Sequence, residues 1–332
     1  MNWDDHAVIV GINRYPGLRD LQGAENDARA FENWIRQSAR VPAENVKMIL
    51  SSQFPQPLKP QDARPMVSEI DMVFDNIIER SEELGFGGRR LYMFFAGHGF
   101  ARTYEDASLL TAEARPRSTG FHIPARDYAN WFRASGYFQE IVLIMDCCRE
   151  SYITAPARPV PWEPKVDRRG TSVRYAFAFA TRWSMESREK FIARFSEIRG
   201  IFTVALLEGL SGAAATTSSS ITTERLDTFV HQYMPELCAP SEYIEPRFEY
   251  DRRNDIILVE SETPRSLTRV HTDCWAIELY DHRNMLIDLY PSRTEANVWE
   301  QELTPGLYVL RCDRKPDKVI QVTGTEEQNV DF

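Results

Sequence analysis

Two short segments of this sequence carry residue types that do nucleophilic chemistry, and each ends a wholly apolar run. The first is Phe94-Phe95-Ala96-Gly97-His98-Gly99, a histidine between two glycines. An imidazole titrates near neutral pH and is the side chain most used as a general base. Glycine on both sides permits a tight turn and close approach of a substrate carbonyl to a backbone N–H. The second segment is Asp146-Cys147-Cys148-Arg149-Glu150. A thiol is mostly un-ionised at neutral pH, and an imidazole within hydrogen-bond reach makes it a usable nucleophile. Taken alone, a buried cysteine is more often a small hydrophobe than a nucleophile. The pair of segments at two strand ends is what shifts the weighing towards a base and a nucleophile.

Such a pair works only if the fold brings both segments together. Near-continuous apolar runs at 6–12, 46–50, 91–95, 141–145 and 175–180 read as strands of a sheet buried on both faces. Between them the period changes. Ala24, Ala28, Phe31 and Ile35 share one helical face, as do Val67, Ile70, Phe74 and Ile77 in a segment that ends before Gly85. Tyr128, Trp131 and Phe132, and later Phe202, Leu206 and Leu210, mark two further helices. Strands alternating with helices argue for βαβ units and a largely parallel sheet, whose sites form where the chain leaves the carboxyl ends of strands. His98 and Cys148 each stand three residues beyond such a run.

The segment 151–174 differs in kind, with Pro156, Pro159, Pro161 and Pro164 breaking any regular element, and reads as a long exposed loop. Residues 213–223, rich in Ala, Ser and Thr, read as a second mobile connection. From residue 262 the texture becomes short alternating segments at 274–280, 285–290, 307–311 and 319–322, the pattern of a small all-β sandwich. The expected division is therefore 1–261 and 262–332.

The 332 residues are 43% hydrophobic and 27% charged, the composition of a soluble globular protein. A formal charge of −10 makes nucleic acid and anionic membranes poor partners and basic peptides better ones. The start, Met-Asn-Trp-Asp-Asp, lacks the pattern of a signal peptide, and no apolar run reaches membrane-spanning length. Five cysteines without a C-x-x-C pair suggest neither a disulfide framework nor a zinc ribbon, so a reducing cytoplasm is the expected compartment.

In order and spacing these segments resemble the caspase and metacaspase family of cysteine endopeptidases, above all its bacterial metacaspase type. The interval of fifty residues from His98 to Cys148 is the one typical of caspases. Metacaspases carry Asp-x-Cys-His-Ser-Gly with the nucleophile two places after the aspartate, which matches Cys148 and not Cys147. The sequence departs from that pattern at Arg149-Glu150-Ser151, so the resemblance leaves the shape of the adjacent turn open. Val8-Ile9-Val10-Gly11-Ile12-Asn13 with Tyr15, and Leu21-x-Gly23-Ala24-x-Asn26-Asp27-Ala28, look like the family's opening strand, loop and first helix. Gly200-Ile201-Phe202-Thr203, with Leu206 and Leu207, is similar to its late Gly-x-Phe-Thr helix. The resemblance covers residues 5–260 and leaves the C-terminal module outside.

The resemblance implies an α/β fold, a caspase-like mostly parallel central sheet flanked by helices, with the small C-terminal all-β module added. It implies His98 as base and Cys148 as nucleophile, with the backbone N–H groups of Gly99 and Cys148 as oxyanion donors, a role on the order of 3 kcal/mol. In the metacaspase branch, carboxylates matching Asp27 and Asp146 line the primary specificity pocket and select Arg or Lys before the scissile bond. A guanidinium meets such a pair through charge-assisted hydrogen bonds. The plainer reading of Asp27 is a surface carboxylate at a helix N-terminus. Caspases proper prefer aspartate through arginines and a glutamine, and Arg182 in Ala180-Thr181-Arg182-Trp183-Ser184 is the residue that would serve that alternative.

This chemistry requires no metal or cofactor. Metacaspases are often calcium-stimulated, but no EF-hand spacing places a calcium site in this sequence. The implied partners are protein substrates exposing Arg or Lys and an upstream activator protein. The loop 151–174 offers Arg158, Lys165, Arg168 and Arg169 as sites for activating cleavage. Pro159 hinders cleavage after Arg158, and Arg169, followed by Gly170, is favoured. Bacterial caspase-like proteins often act in stress or antiphage responses, the biological role the resemblance implies. Two readings compete with a peptidase: a catalytically silent caspase-like scaffold whose β module binds a partner, and an interaction protein in which Cys147 and Cys148 only sense redox state.

Overall fold

The computed structural model describes the chain apart from residues 1–3, 117, 119, 149, 152–156, 167–171, 183–188, 194, 216–219, 261–265, 275, 282–285, 290–297, 304–305 and 323–326. Two compact units emerge, one of Met1–Leu207 with Asp227–Ile256 and one of Glu208–Leu226 with Ile257–Phe332.

The apolar runs of the first unit form a six-stranded sheet. Strands β1 (Asp5–Gly11), β2 (Val46–Leu50), β3 (Gly88–Gly97), β4 (Phe138–Cys147) and β5 (Arg174–Phe179) are parallel, and β6 (Arg247–Tyr250) pairs antiparallel to β5. Their order across the sheet is β6-β5-β4-β3-β1-β2. All of β1 is buried, and all of β4 except Gln139.

Strands this apolar need cover on both faces. On one face, Leu91, Met93 and Phe95 of β3 and Ile141, Leu143 and Met145 of β4 share a core with α2 (Val67–Leu84) and α3 (Ala125–Ser135). On the other face, α1 (Ala24–Gln37) stacks Phe31 on Phe94 with ring centroids 4.5 Å apart. The helical spacing of Ala24, Ala28, Phe31 and Ile35 explains why α1 can do this, and all four are buried. α4 (Ile201–Glu208) lies on the same side, where Thr203 is bonded to Asp146. Side chains alternate along a strand. Asp146 therefore faces α1 and α4, while Cys147 falls in the core beneath α2 and α3.

Several elements escaped the hydrophobic pattern because they are short or lie at an edge. They are β6, the hairpin Glu189–Ile192/Glu197–Gly200, and a small sheet of Gly99–Ala101, Ser108–Leu110, His122–Ile123 and Glu150–Ser151. The prolines of the segment after Cys148 do exclude regular structure, but part of that segment is packed and not freely exposed. Trp162 donates from Nε1 to Asp75 at 2.6 Å and lies 4.5 Å from the Tyr128 ring. Arg158 is bound to Asp71 and Tyr128, and Lys165 to Glu82 and Tyr137.

In the second unit, the sheet containing Ser266–His271, Val298–Leu303 and Gln328–Asp331 faces one containing Glu278–Asp281, Leu286–Leu289, Gly306–Cys312 and Lys315–Val322. Val270, Trp299 and Leu303 from the former share a core with Leu279, Leu310 and Ile320 from the latter, as the alternating pattern requires. This unit also takes in residues upstream of 262, since Ser220–Thr222 pairs antiparallel with Ile257–Glu260. Cys274 and Cys312 form a disulfide, which corrects the expectation drawn from the cysteine count. Cys147, Cys148 and Cys238 are thiols. No helix among the described residues is long and apolar enough to cross a membrane.

Candidate active site

The parallel ladder of β3 and β4 brings the two chemical segments to one place. Gly97 and Cys147 are Cα partners in that ladder, so His98 and Cys148 leave adjacent strands at the same edge. The chain continues in register, with Phe100 beside Glu150 and Ala101 beside Ser151. A Cβ at Gly99 would stand 2.6 Å from the Cys148 carbonyl oxygen and 2.7 Å from Cys147 Cβ. At Gly97 it would stand 2.5 Å from the Tyr15 hydroxyl oxygen. The glycines on either side of His98 are thus explained by how closely Tyr15 and the cysteine backbone approach.

His98 is half-buried and held on three sides. Its backbone N–H donates to the Tyr15 hydroxyl at 3.0 Å, its carbonyl accepts from Leu110 N–H at 2.8 Å, and its ring meets the Tyr15 ring edge-on at 4.7 Å. Tyr15 in turn donates to the Leu110 carbonyl at 3.1 Å. The ring nitrogen Nε2 lies 2.6 Å from the Arg19 carbonyl. A carbonyl only accepts, so Nε2 carries the hydrogen and Nδ1 is left as the basic nitrogen of the neutral ring. The loop that presents this carbonyl is fixed by Asp20, whose carboxylate accepts from Tyr15 N–H at 2.6 Å. Neither Tyr15 nor the Arg19 carbonyl could be assigned these roles from residue type alone.

The two cysteines stand in different environments. Cys147 is 1% exposed, and burial pushes its thiol pKa well above the ordinary value, with the nearby Asp146 charge adding to the effect. Such a thiol is a poor source of thiolate. Cys148 lies past the strand end and is half-buried.

Asp27 and Asp146, far apart in sequence, converge beneath this edge, both buried. Asp27 accepts from Arg199 Nε at 2.6 Å and from Gly200 N–H at 2.8 Å. Asp146 accepts from the Thr203 N–H at 3.2 Å and the Thr203 hydroxyl at 2.7 Å. Burial raises the Asp27 pKa well above the usual carboxylate range, and the Asp146 charge raises it further, against the opposing pull of Arg199. The Arg199 contact was not foreseen. Its only sequence signal was its place before Gly200.

Arg182, the residue of the aspartate-selective alternative, is exposed and paired with Glu245. Of the candidate cleavage positions, Lys165 is engaged by Glu82 and Tyr137, whereas Arg168 and Arg169 lie outside the described residues, as does Arg149. Among the described residues, no three His, Cys, Asp or Glu side chains group as a metal site.

Comparison with curated proteins finds no match. Among solved structures, caspase-1 from Spodoptera frugiperda is similar at a TM-score of 0.49 and 12% identity, over 79% of this chain and 92% of that one. That likeness is too slight to bear an argument. The caspase-domain family model, by contrast, matches residues 4–239, and by that match the chain belongs to the caspase family of C14 cysteine peptidases.

Proposed function

We propose that the chain is a metacaspase-type cysteine endopeptidase that cleaves proteins after Arg or Lys. The observation that supports this best is the meeting of His98 and Cys148 at the shared edge of β3 and β4, with Nε2 of the histidine committed to the Arg19 carbonyl. His98 Nδ1 takes the Cys148 proton as the thiolate sulfur attacks the carbonyl carbon of the scissile peptide. The backbone N–H groups of Gly99 and Cys148 receive the oxyanion. Imidazolium Nδ1–H then protonates the leaving amine, and a water molecule, giving its proton back to Nδ1, hydrolyses the thioester. The Nε2–H bond to Arg19 persists through both protonation states and so orients the ring throughout.

The acid pair Asp27 and Asp146 supplies the preference for a basic side chain, which two converging buried carboxylates favour over an acidic one. Cleavage within the loop 151–174 activates the enzyme. Lys165 is tied down, so Arg168 and Arg169 are the better positions. A role in bacterial stress or antiphage responses completes the proposal.

An acyloxymethyl ketone bearing Arg at its first position, followed by peptide mapping, tests it. The expected adduct is on Cys148, and the corresponding Asp probe should label weakly. Labelling of Cys147, or preference for the Asp probe, would overturn the assignment. Mass mapping of wild type against Cys148→Ala tests self-processing. Cuts at 168–169 in wild type alone are expected, and full peptidase activity from an uncut chain would remove cleavage as a requirement.

A further inference from the structure

Asp27, one of the two carboxylates given above to a basic substrate side chain, already binds a guanidinium of this chain, whose Nη1 also reaches Glu197 at 3.1 Å. Arg199 is 4% exposed, against 1% for Asp27 and 7% for Asp146. Its Nε donates to Asp27 at 2.6 Å, and Gly200 is wedged so tightly that a Cβ there would collide with Asp146 Oδ2 and lie 2.8 Å from Asp27 Oδ2. A second guanidinium would have to share Asp27 with the first or displace it.

Arg199 rides on the hairpin Glu189–Ile192/Glu197–Gly200, which is fastened over the N-terminus of α1. The Glu189 carboxylate accepts from Gln22 and Gly23 N–H at 3.1 and 2.9 Å, and Asn26 Nδ2 donates to the Ile198 carbonyl at 2.9 Å. Away from α1 the hairpin is exposed, Phe191 by 59% and Phe195 by 43%. Its attachment is thus polar, and the Arg199–Asp27 pair is the buried part of it.

We propose that Arg199 is a specificity-determining residue that competes with the substrate for Asp27, so that a basic side chain enters only by taking the place of its guanidinium. This rests on the acid pair being the primary pocket. The chemistry of the exchange selects the entrant. An incoming Arg replaces one guanidinium by another, whereas a Lys ammonium cannot reproduce the planar fork. A neutral side chain would leave two buried carboxylates facing each other, at high cost. The competitor also reduces apparent affinity by the fraction of molecules in which it occupies the seat.

Kinetics of Arg199→Gln and Arg199→Ala with Arg- and Lys-terminated peptides test the exchange. The expected result is a KM for the Arg peptide lower by about tenfold with kcat little changed, a larger fall for the Lys peptide, and hence a narrower Arg-to-Lys ratio. Arg199→Lys, which keeps a cation in the seat, should fall between wild type and Arg199→Gln and serves if the neutral variants do not fold. In a readout independent of turnover, methylguanidinium should raise the Tm of Arg199→Ala but not that of wild type or of the double variant Asp27→Asn/Arg199→Ala. If wild type cleaves basic peptides but the variants show unchanged or higher KM, the competition is refuted and the Arg/Lys reading stands. If neither wild type nor any variant cleaves a basic peptide, the pocket reading falls and the competition with it.

Discussion

The two ends of the central sheet bury the same residue types to different ends. At the amino end, Arg89 donates to both oxygens of Asp5, Arg90 donates from Nε to Glu140 at 2.6 Å, and Arg174 binds the other Glu140 oxygen. At the carboxyl end, Asp27 receives Arg199 while Asp146 receives the N–H and hydroxyl of Thr203, next to His98 and Cys148. Burial raises the pKa of both Asp5 and Asp27, so the direction of the shift does not separate the two ends. What separates them is the neighbourhood. At the amino end three arginines, Arg89, Arg90 and Arg174, are bonded to Asp5 and Glu140, whereas at the carboxyl end Asp27 and Asp146 converge on Gly200 with Arg199 bonded to Asp27. Buried charge becomes a functional signal when like charges are gathered beside a nucleophile.

Mutations at the two ends should therefore fail in different measurements. Apart from loss of the nucleophile itself, the largest effect is expected at His98. His98→Ala should lower kcat/KM by about 10³-fold, the scale of lost general-base catalysis, with Tm nearly unchanged. A comparable loss of Tm would mean that the carboxyl end is structural too.

Glu140→Gln attacks the opposite end. It leaves Arg90, 1% exposed, against a neutral amide and should cost about 3 kcal/mol in urea unfolding, while the folded fraction keeps its kcat. A changed kcat would break the division between the ends.

His6, near the start of β1 and edge-on to Phe138 at 5.6 Å, carries a pH signature of the amino end. Burial lowers its pKa from 6.5 to about 4, with Arg80 adding to the effect. The folded state thus binds this proton more weakly than the unfolded state. The contribution is present in full above pH 6.5 and is lost as pH falls through about 4. The shift is worth about 3 kcal/mol of stability. His6→Leu should flatten unfolding free energy across that window. An unaltered slope would assign the acid sensitivity elsewhere.

The smallest effect belongs to Tyr15, which positions the histidine without being in line to touch substrate. Tyr15→Phe removes the acceptor of His98 N–H and the donor to Leu110. We expect kcat to drop about fivefold, roughly 1 kcal/mol, with KM for the Arg peptide unchanged. A change in KM alone would place Tyr15 in binding and not in orienting the base.

Much of the sheet was legible because burial on both faces writes itself into consecutive apolar residues. The runs at 91–95 and 141–145 grew at both ends into β3 and β4, and their parallel direction was implied by the alternation with helices, but their adjacency was not. β6 was not legible, since Arg247-Phe248-Glu249-Tyr250 is only half-buried at the sheet's edge. The hairpin carrying Arg199 has a largely exposed first strand and shows no amphipathic signal. Convergence of Asp27 with Asp146 came from family likeness, but their partners Arg199 and Thr203 follow from tertiary geometry that local spacing does not encode. The same holds for Cys274 and Cys312, which neighbouring strands bring together across a separation of 38 residues.

Of the two adjacent cysteines, Cys148 is assigned as the nucleophile and Cys147 as part of the core. Turnover of an Arg-terminated fluorogenic peptide by wild type, Cys148→Ala and Cys147→Ala tests this directly. No turnover is expected from a folded Cys148→Ala, and turnover near wild type from Cys147→Ala together with a lower Tm, because Cys147 is buried against the α2 and α3 core. Activity that survives in Cys148→Ala but vanishes in a folded Cys147→Ala would reverse the assignment.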